Sequence, residues 1–271
     1  MFNLSNKKII VTGANGLLGR KHSEAIAEFG GIPIMIDINI ESLDIFSKYI
    51  KKSYSINCEY YEVDITQERQ VKENVSLIEK KHQHIDGLVN NAANNPKVEN
   101  NSEKNFSRLE NFPLEQWKLD IDVGLTGSFL CSKHYGRLMT KNSSGGSIVN
   151  IASDLALMAP DQRLYEKEGV AKNQQNVKPV TYSVVKSGLI GLTRYLSTYW
   201  NDENIRCNAM CPGGVENNQP EEFLNRVSSK IPMARLASPN EYKGTLIWML
   251  SDASSYLNGA IIPIDGGRSA W

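Results

Sequence analysis

Tyr182 and Lys186 stand four residues apart in Thr181-Tyr182-Ser183-Val184-Val185-Lys186. On a helix that spacing puts both on one face. Among the eleven tyrosines, Tyr182 alone has a lysine four residues later. An ammonium close to a phenol favours the phenolate and lowers its pKa from about 10, toward a range suited to general acid–base work. A surface Tyr/Lys pair would have the same spacing, so the pair gains meaning from its company. Ser153 supplies a hydroxyl that could hold a substrate oxygen in line with that phenol. The third group is the turn Thr12-Gly13-Ala14-Asn15-Gly16-Leu17-Leu18-Gly19. Gly13 allows the tight turn, Gly16 lets backbone approach a pyrophosphate, and Gly19 lets a helix pack closely on a strand. Phosphates would then sit at the helix N-terminus, where free N–H groups and the dipole favour negative charge.

These groups need elements to carry them. Lys8 to Val11 is a short apolar, β-branched run, and after the glycine turn Leu17, Leu18, Ala25, Ile26 and Phe29 recur at helical spacing. That reads as strand, turn, helix. A second strand, Ile32–Asp37, ends in a carboxylate 18 residues after Gly19. An acid there binds both hydroxyls of an adenosine ribose and repels a 2′-phosphate. No Arg or Lys lies between Gly13 and Gly19, and Ile38 follows the acid, so NAD is favoured over NADP. The alternation continues with a helix over 40–52, a strand Cys58–Val63, a helix over 67–83 and a strand Ile85–Asn90. A long helix over 113–141, a strand Ser147–Ala152, a helix over 181–202, a strand over 204–210 and a last strand Ala260–Ile264 follow. The pattern predicts a single α/β domain over residues 1–271, a Rossmann-like doubly wound parallel sheet of about seven strands with helices on both faces. Polar insertions interrupt it near 94–112 and 154–180.

Ligands bind such sheets beyond the C-terminal strand ends. There stand Asp64 with Ile65, Asn90-Asn91-Ala92-Ala93, Ser153, and Cys211-Pro212-Gly213-Gly214-Val215. Asp64 could accept from an adenine amino group or serve the helix that follows as an N-terminal acid. The small residues after Asn90 would let a ribose approach the backbone, or form a plain polar turn.

Composition narrows the classes. Lys plus Arg equal Asp plus Glu at 30 each, so no global field draws nucleic acid or an anionic membrane. Four cysteines without C-x-x-C spacing suit reduced, packed thiols in a cytoplasmic protein. The apolar run after Lys7-Lys8 is cut by the glycine turn, so it does not read as an export signal, and no run approaches a membrane span. His82-x-His84 lacks a carboxylate or cysteine at ligand spacing, which argues against a metal.

Taken in order, Thr12-Gly13 with the glycine turn, Asp64, Asn90-Asn91-Ala92-Ala93, Ser153, Tyr182-x-x-x-Lys186 and Pro212-Gly213 resemble the motifs of short-chain dehydrogenases/reductases. The similarity continues through Asn258-Gly259 and Ile264-Asp265-Gly266-Gly267 and so covers nearly the whole chain. The resemblance implies Tyr182 as catalytic acid/base, Lys186 lowering its pKa and holding the nicotinamide ribose, and Ser153 orienting the substrate oxygen. It implies an NAD site made by Gly13, Asn15, Gly16, Leu17, Leu18, Gly19, Asp37, Asp64, Ile65, Asn91, Ala92, Ala93, Tyr182, Lys186, Pro212, Gly213 and Val215. It also implies a homodimer or homotetramer joined through the helices at 113–141 and 181–202.

Three departures stand out. The second glycine falls at Gly16 rather than at the Leu17 position, a spacing like that of the longer, sugar-nucleotide-processing branch. Gly124 occupies the place where compact members carry an Asn that holds a relay water. A glycine inside a helix costs about 1 kcal/mol against Ala, and water or a polar side chain from 154–180 is expected to fill the space. Ser153 and Tyr182 are about twice as far apart in sequence as usual, and the segment between them reads either as a solvated loop or as a wall for a many-hydroxyl substrate. Residues 217–232 are a second candidate wall. The expected activity is NAD(H)-dependent interconversion of a secondary alcohol and a ketone on a polar small molecule, with a sugar or sugar derivative favoured. The use of Asn, Lys and Ile with two polar insertions resembles bacterial oxidoreductases of flagellin-glycan pathways. A sugar-nucleotide epimerase or dehydratase with retained NAD, and a non-catalytic NAD-binding regulator, are the alternatives.

Overall fold

The computed structural model describes residues 1–94 and 105–271; most of the polar stretch expected near 94–112 lies outside them. Seven parallel strands form one sheet in the order β3-β2-β1-β4-β5-β6-β7. They are β1 (Lys8–Thr12), β2 (Ile32–Asp37), β3 (Glu59–Glu62), β4 (Gly87–Asn90), β5 (Gly146–Ile151), β6 (Ile205–Pro212) and β7 (Ile261–Ile264). The central strands are buried on both faces, as parallel strands covered by helices must be. Side chains alternate across the sheet. Ile9, Val11, Met35, Val89, Val149 and Met210 enter one core. Ile10, Ile34, Ile36, Leu88, Ile148 and Cys207 enter the other.

Helices α1 (Leu17–Glu28), α2 (Ile40–Tyr54) and α8 (Lys243–Leu250) cover the first face, while α3 (Glu68–His82), α5 (Gly127–Met139) and α6 (Val180–Tyr199) cover the second. Helix α2 presents Leu43, Phe46 and Ile50 to the sheet, the face its spacing predicts. Asn39 caps it by accepting from the Ser42 N–H at 2.9 Å. Helix α8 (KGTLIWML) escaped the sequence reading because its apolar residues form one continuous run, Leu246 to Leu250, which erases the amphipathic signal. The short helix α7 (Glu221–Ser228) lies within the stretch read as a candidate wall.

The long helix expected over 113–141 runs from Leu114 to Met139 and carries a π-helical turn inside it. α4 (Leu114–Ile121) runs into a π-helical turn, Asp122–Thr126, before α5 begins. Gly124 sits in that turn, which is where a residue with high conformational cost in a regular helix would be tolerated. The strand order reverses between β1 and β4, and at this switch point the sheet opens a crevice beyond its strand ends.

Candidate active site

A cavity of about 910 Å³ fills that crevice, within the range of ligand pockets. It begins at the glycine turn. Gly13 has φ +63°, and a Cβ on it would lie 2.8 Å from the Ala92 backbone, so glycine is required there. A Cβ on Gly19 would come within 2.1 Å of the Gly13 carbonyl oxygen, as expected for a helix held tightly to its strand. Gly19 and Ser153 are expected site residues that do not line the cavity; Gly13, Asn15, Gly16, Leu17 and Leu18 do.

Asp37 stands at the end of β2 on the cavity wall. Its Oδ2 accepts from the Asn15 N–H at 3.0 Å and its Oδ1 from the Asn39 N–H at 3.3 Å. Asn15 in turn donates its side chain to the Asn39 carbonyl at 2.9 Å, which ties the glycine turn to the start of α2. Arg20 reaches this corner but is engaged with Asn15 and with Ser42 Oγ at 2.8 Å, and its guanidinium stacks on Phe46.

Asp64 lines the cavity beside Ile65 and accepts from both the Thr66 N–H and the Thr66 hydroxyl, at 2.9 and 2.7 Å. It therefore stabilises its own turn while facing the ligand space. Asn91 also does structural work: its Nδ2 donates to the carbonyls of Thr12 and Gly13, each at 3.0 Å, and fastens β4 to the glycine turn. Ala92 and Ala93 line the wall next to it. Asn90 points into the protein instead, bonding to Ser132 and Asn150. Pro212, Gly213 and Val215 close the far wall. A Cβ on Gly213 would meet the Asp265 backbone at 2.8 Å.

The reactive end lies at the mouth of β5 and α6. Tyr182 Oη donates to Ser153 Oγ at 3.4 Å, across 29 residues of sequence. Lys186, one turn along α6, donates to the Ile151 carbonyl at 2.7 Å and lies under the same pocket wall. The three residues meet because the insertion folds back rather than extending away. Leu164 is buried with Val227, Ile231 and Leu236, and the Tyr165 ring packs on Phe223 of α7 with centroids 5.8 Å apart. Arg226 of α7 donates to the Glu166 carbonyl. The two stretches read as separate walls are therefore one packed layer with its own small apolar core.

A glycine-lined helix start, an acid at the end of β2 and a Tyr/Lys pair along one crevice, with Ser153 behind the Tyr, fit a dinucleotide with a nicotinamide. The family model described as enoyl-(acyl carrier protein) reductase matches residues 13–269. The chain is a short-chain dehydrogenase/reductase. It is 29% identical to the 2,5-dichloro-2,5-cyclohexadiene-1,4-diol dehydrogenase of Sphingobium indicum over the full length of both chains. It is 28% identical to the NAD-dependent glycerol dehydrogenase of Listeria innocua, covering 98% of this chain and 95% of that one. The crystal structure of a short-chain type dehydrogenase/reductase from Mycobacterium marinum superposes with a TM-score of 0.83 at 26% identity, covering 98% of this chain and 96% of that one.

Within this short-chain dehydrogenase/reductase, two expectations from the sequence need correction. First, Lys186 does not bring the Tyr182 phenol down. Burial pushes the phenol above its ordinary value, the Ser153 hydrogen bond opposes this, and the Asp154 charge adds to the rise. The Lys186 ammonium is 6.0 Å from the Tyr182 ring centroid and bonded to a carbonyl. Burial, with the neighbouring charge of Lys178, lowers Lys186 itself to about 8. Second, neither water nor a polar group from the insertion takes the space at Gly124. A Cβ there would lie 2.5 Å from Val185 Cγ1, so the branched side chain from α6 occupies it.

Three residues that sequence reasoning missed complete the site. Lys178 stands with its Nζ 3.7 Å above the Tyr182 ring centroid, a cation–π arrangement, and burial lowers its pKa to about 8. Its only sequence signal was the second four-residue spacing, Lys178 to Tyr182, and Pro179 hid that by breaking the helix between them. Asp154 and Arg268 form a buried ion pair at 2.8 Å, 114 residues apart. Among the described residues no cluster of His, Cys, Asp and Glu could hold a metal, and no helix is long and apolar enough to cross a membrane. All four cysteines are free thiols, three of them buried.

Proposed function

We propose that this protein is an NAD(H)-dependent oxidoreductase that interconverts a secondary alcohol and a ketone on a polar small molecule, with a sugar or sugar derivative favoured. The observation that carries the reading is the Tyr182–Ser153 contact at 3.4 Å, at one end of a cavity that starts at the glycine turn. Tyr182 gives or takes the proton of the reacting oxygen, and Ser153 holds that oxygen in line. Lys186 and Lys178 place two cationic side chains 6.0 and 3.7 Å from the centroid of the Tyr182 ring, Lys178 over its face. Bound nicotinamide supplies the hydride acceptor or donor. With burial raising the phenol, Tyr182 holds its proton in the resting site.

NAD is preferred because Asp37 meets the ribose end with a carboxylate already oriented by two backbone N–H groups. Arg20, the cation that reaches this corner, is turned to Asn15, Ser42 and Phe46. The polyol preference draws on the wall made by the insertion and α7, and on the diol and glycerol dehydrogenases among the relatives. A homodimer or homotetramer is expected through α4, α5 and α6, which expose Leu114, Leu119, Phe129, Tyr195 and Tyr199, an apolar surface of the kind partners cover. The test is a panel of polyols, sugars, sugar acids and sugar nucleotides, read as NADH formation with NAD and NADP in parallel. Turnover of a hydroxylated substrate with NAD supports the reading. No turnover of any member in either direction, with cofactor binding intact, overturns it.

A further inference from the structure

Asp154 follows Ser153 directly and opens the insertion, yet its side chain is only 4% exposed. Its Oδ1 accepts from the Ser153 hydroxyl at 2.9 Å and from the Leu155 N–H at 2.8 Å. Its Oδ2 accepts from Arg268 Nη1 at 2.8 Å. Arg268 is itself buried and arrives from the C-terminal turn. There Asp265 accepts from the N–H groups of Gly267 and Ser269, and Gly267 adopts φ +88°. A hydrogen-bonded chain therefore runs from Tyr182 to Ser153, from Ser153 to Asp154, and from Arg268 back to Asp154. Ser153 has one hydroxyl hydrogen, and a carboxylate accepts without donating, so that hydrogen belongs to Asp154, while the Ser153 oxygen accepts from the Leu155 N–H at 3.2 Å and from Tyr182.

We propose that Asp154, clamped by Arg268, is a positioning residue: it fixes the hydrogen of Ser153 and so makes the Ser153 oxygen an acceptor toward Tyr182 in the resting site. This rests on the oxidoreductase reading of the same site. A reacting alcohol gives its one hydroxyl hydrogen to Tyr182. A ketone brings none, so holding it requires Ser153 to leave a charge-assisted bond, and those are the stronger kind. The C-terminal turn is thereby part of the site: loss of Arg268 leaves the Asp154 carboxylate buried beside a serine with no cation to compensate it.

The groups facing the Tyr182 phenol come from every neighbouring element. Lys186 stands on its own helix, Lys178 lies over the ring from the insertion, Tyr165 comes from the same insertion, and Tyr242 precedes α8. Asp154 and Ser153 follow β5, Arg268 comes from the C-terminal turn, and Asp120 of α4 lies behind Thr181. Asp154 also acts through its charge on Lys178, Tyr165 and Tyr242, which is why the Ser153→Ala background is needed to separate the route through the hydroxyl.

The experiment follows the Tyr182 phenol by carbon-13 NMR of protein labelled at tyrosine Cζ, the resonance being identified by its absence in Tyr182→Phe. Asp154→Asn removes a negative charge and releases the Ser153 hydrogen toward the phenolate, so the titration moves down by about half a pH unit or more. Arg268→Met moves it up, and Arg268→Lys restores it. In a Ser153→Ala background the Asp154→Asn shift falls to less than about half, because the connecting hydroxyl is gone. Should Asp154→Asn fail to fold, the Arg268→Met and Arg268→Lys pair, with and without Ser153→Ala, carries the same comparison. Shifts of one sign for Asp154→Asn and Arg268→Met, no shift for Arg268→Met, or shifts unchanged by Ser153→Ala overturn the proposal. The readout needs no turnover, so a negative substrate panel with these titrations as expected faults the function alone; turnover with unmoved titrations faults the positioning role alone.

Discussion

His22 makes stability depend on pH in a way that can be worked from its surroundings. It lies in α1, the helix that starts at the glycine turn, and is fully buried. Neither ring nitrogen has a hydrogen-bond partner among the described residues. Burial alone lowers its pKa from 6.5 to about 3. In the unfolded chain the imidazole takes a proton below its ordinary value, while in the folded protein it stays neutral until far more acid pH. The unfolded state therefore binds more protons, and folding stability falls as pH drops below the ordinary histidine value, by about 1.4 kcal/mol per pH unit. The loss reaches about 2 kcal/mol near pH 5 and about 3 kcal/mol near pH 4, a sizeable share of the ~5–15 kcal/mol that holds a domain together. The assay is urea unfolding of wild type and His22→Leu at fixed protein concentration from neutral to acid pH. Carboxylate contributions are common to both and cancel in the difference. The difference should be flat above about pH 7 and grow in favour of His22→Leu below it, with the slope just given. A difference that stays flat into the acid range would refute the reasoning and require a hydrogen-bonded or hydrated imidazole.

Further outcomes follow from the site. Asp37→Ser should raise the NAD KM roughly 10- to 100-fold, as expected for losing charge-assisted hydrogen bonds to ribose hydroxyls, and narrow the preference against NADP; equal NAD kinetics would remove Asp37 from the cofactor site. Gly124→Asn should cost about 1–3 kcal/mol of stability by overpacking against Val185, and adding Val185→Ala should recover most of it; an unaffected single variant would show that the space is open. Replacing the middle of the 154–180 insertion by a short turn should abolish turnover of hydroxylated substrates while leaving NAD affinity within about threefold, measured by calorimetry. Retained kinetics would make the insertion a surface loop.

How much of this was legible depended on the range of the signal. The strands and the glycine turn could be read from Ile9, Ile10, Val11 and Gly13 because alternation and φ preference are local properties. Helix α2 announced itself through Leu43, Phe46 and Ile50 for the same reason. Helix α8 did not, since its apolar residues run together as Leu246 to Leu250 instead of recurring at helical spacing. The π-helical turn at Asp122–Thr126 was hidden because helical spacing persists on both sides of it. The nearness of Ser153 to Tyr182 came from the resemblance, not from spacing, since 29 residues of insertion separate them. The packing of Tyr165 on Phe223 and the pairing of Asp154 with Arg268 are contacts between distant segments, and no local pattern encodes them. The protonation of Tyr182 was misjudged for a different reason: proximity of a lysine was legible, but the burial that outweighs it exists only once the chain has folded.

The central claim is that the Tyr182 phenol moves the proton when a hydroxylated substrate is oxidised at this crevice. Its most direct test is NADH formation by wild type and Tyr182→Phe with the same substrate, with NAD affinity measured by calorimetry on the same preparations. Affinity should stay within about threefold while kcat falls by roughly 10²- to 10⁴-fold, the usual contribution of a positioned acid–base group. A Tyr182→Phe protein that binds NAD and turns over at the wild-type rate would contradict it.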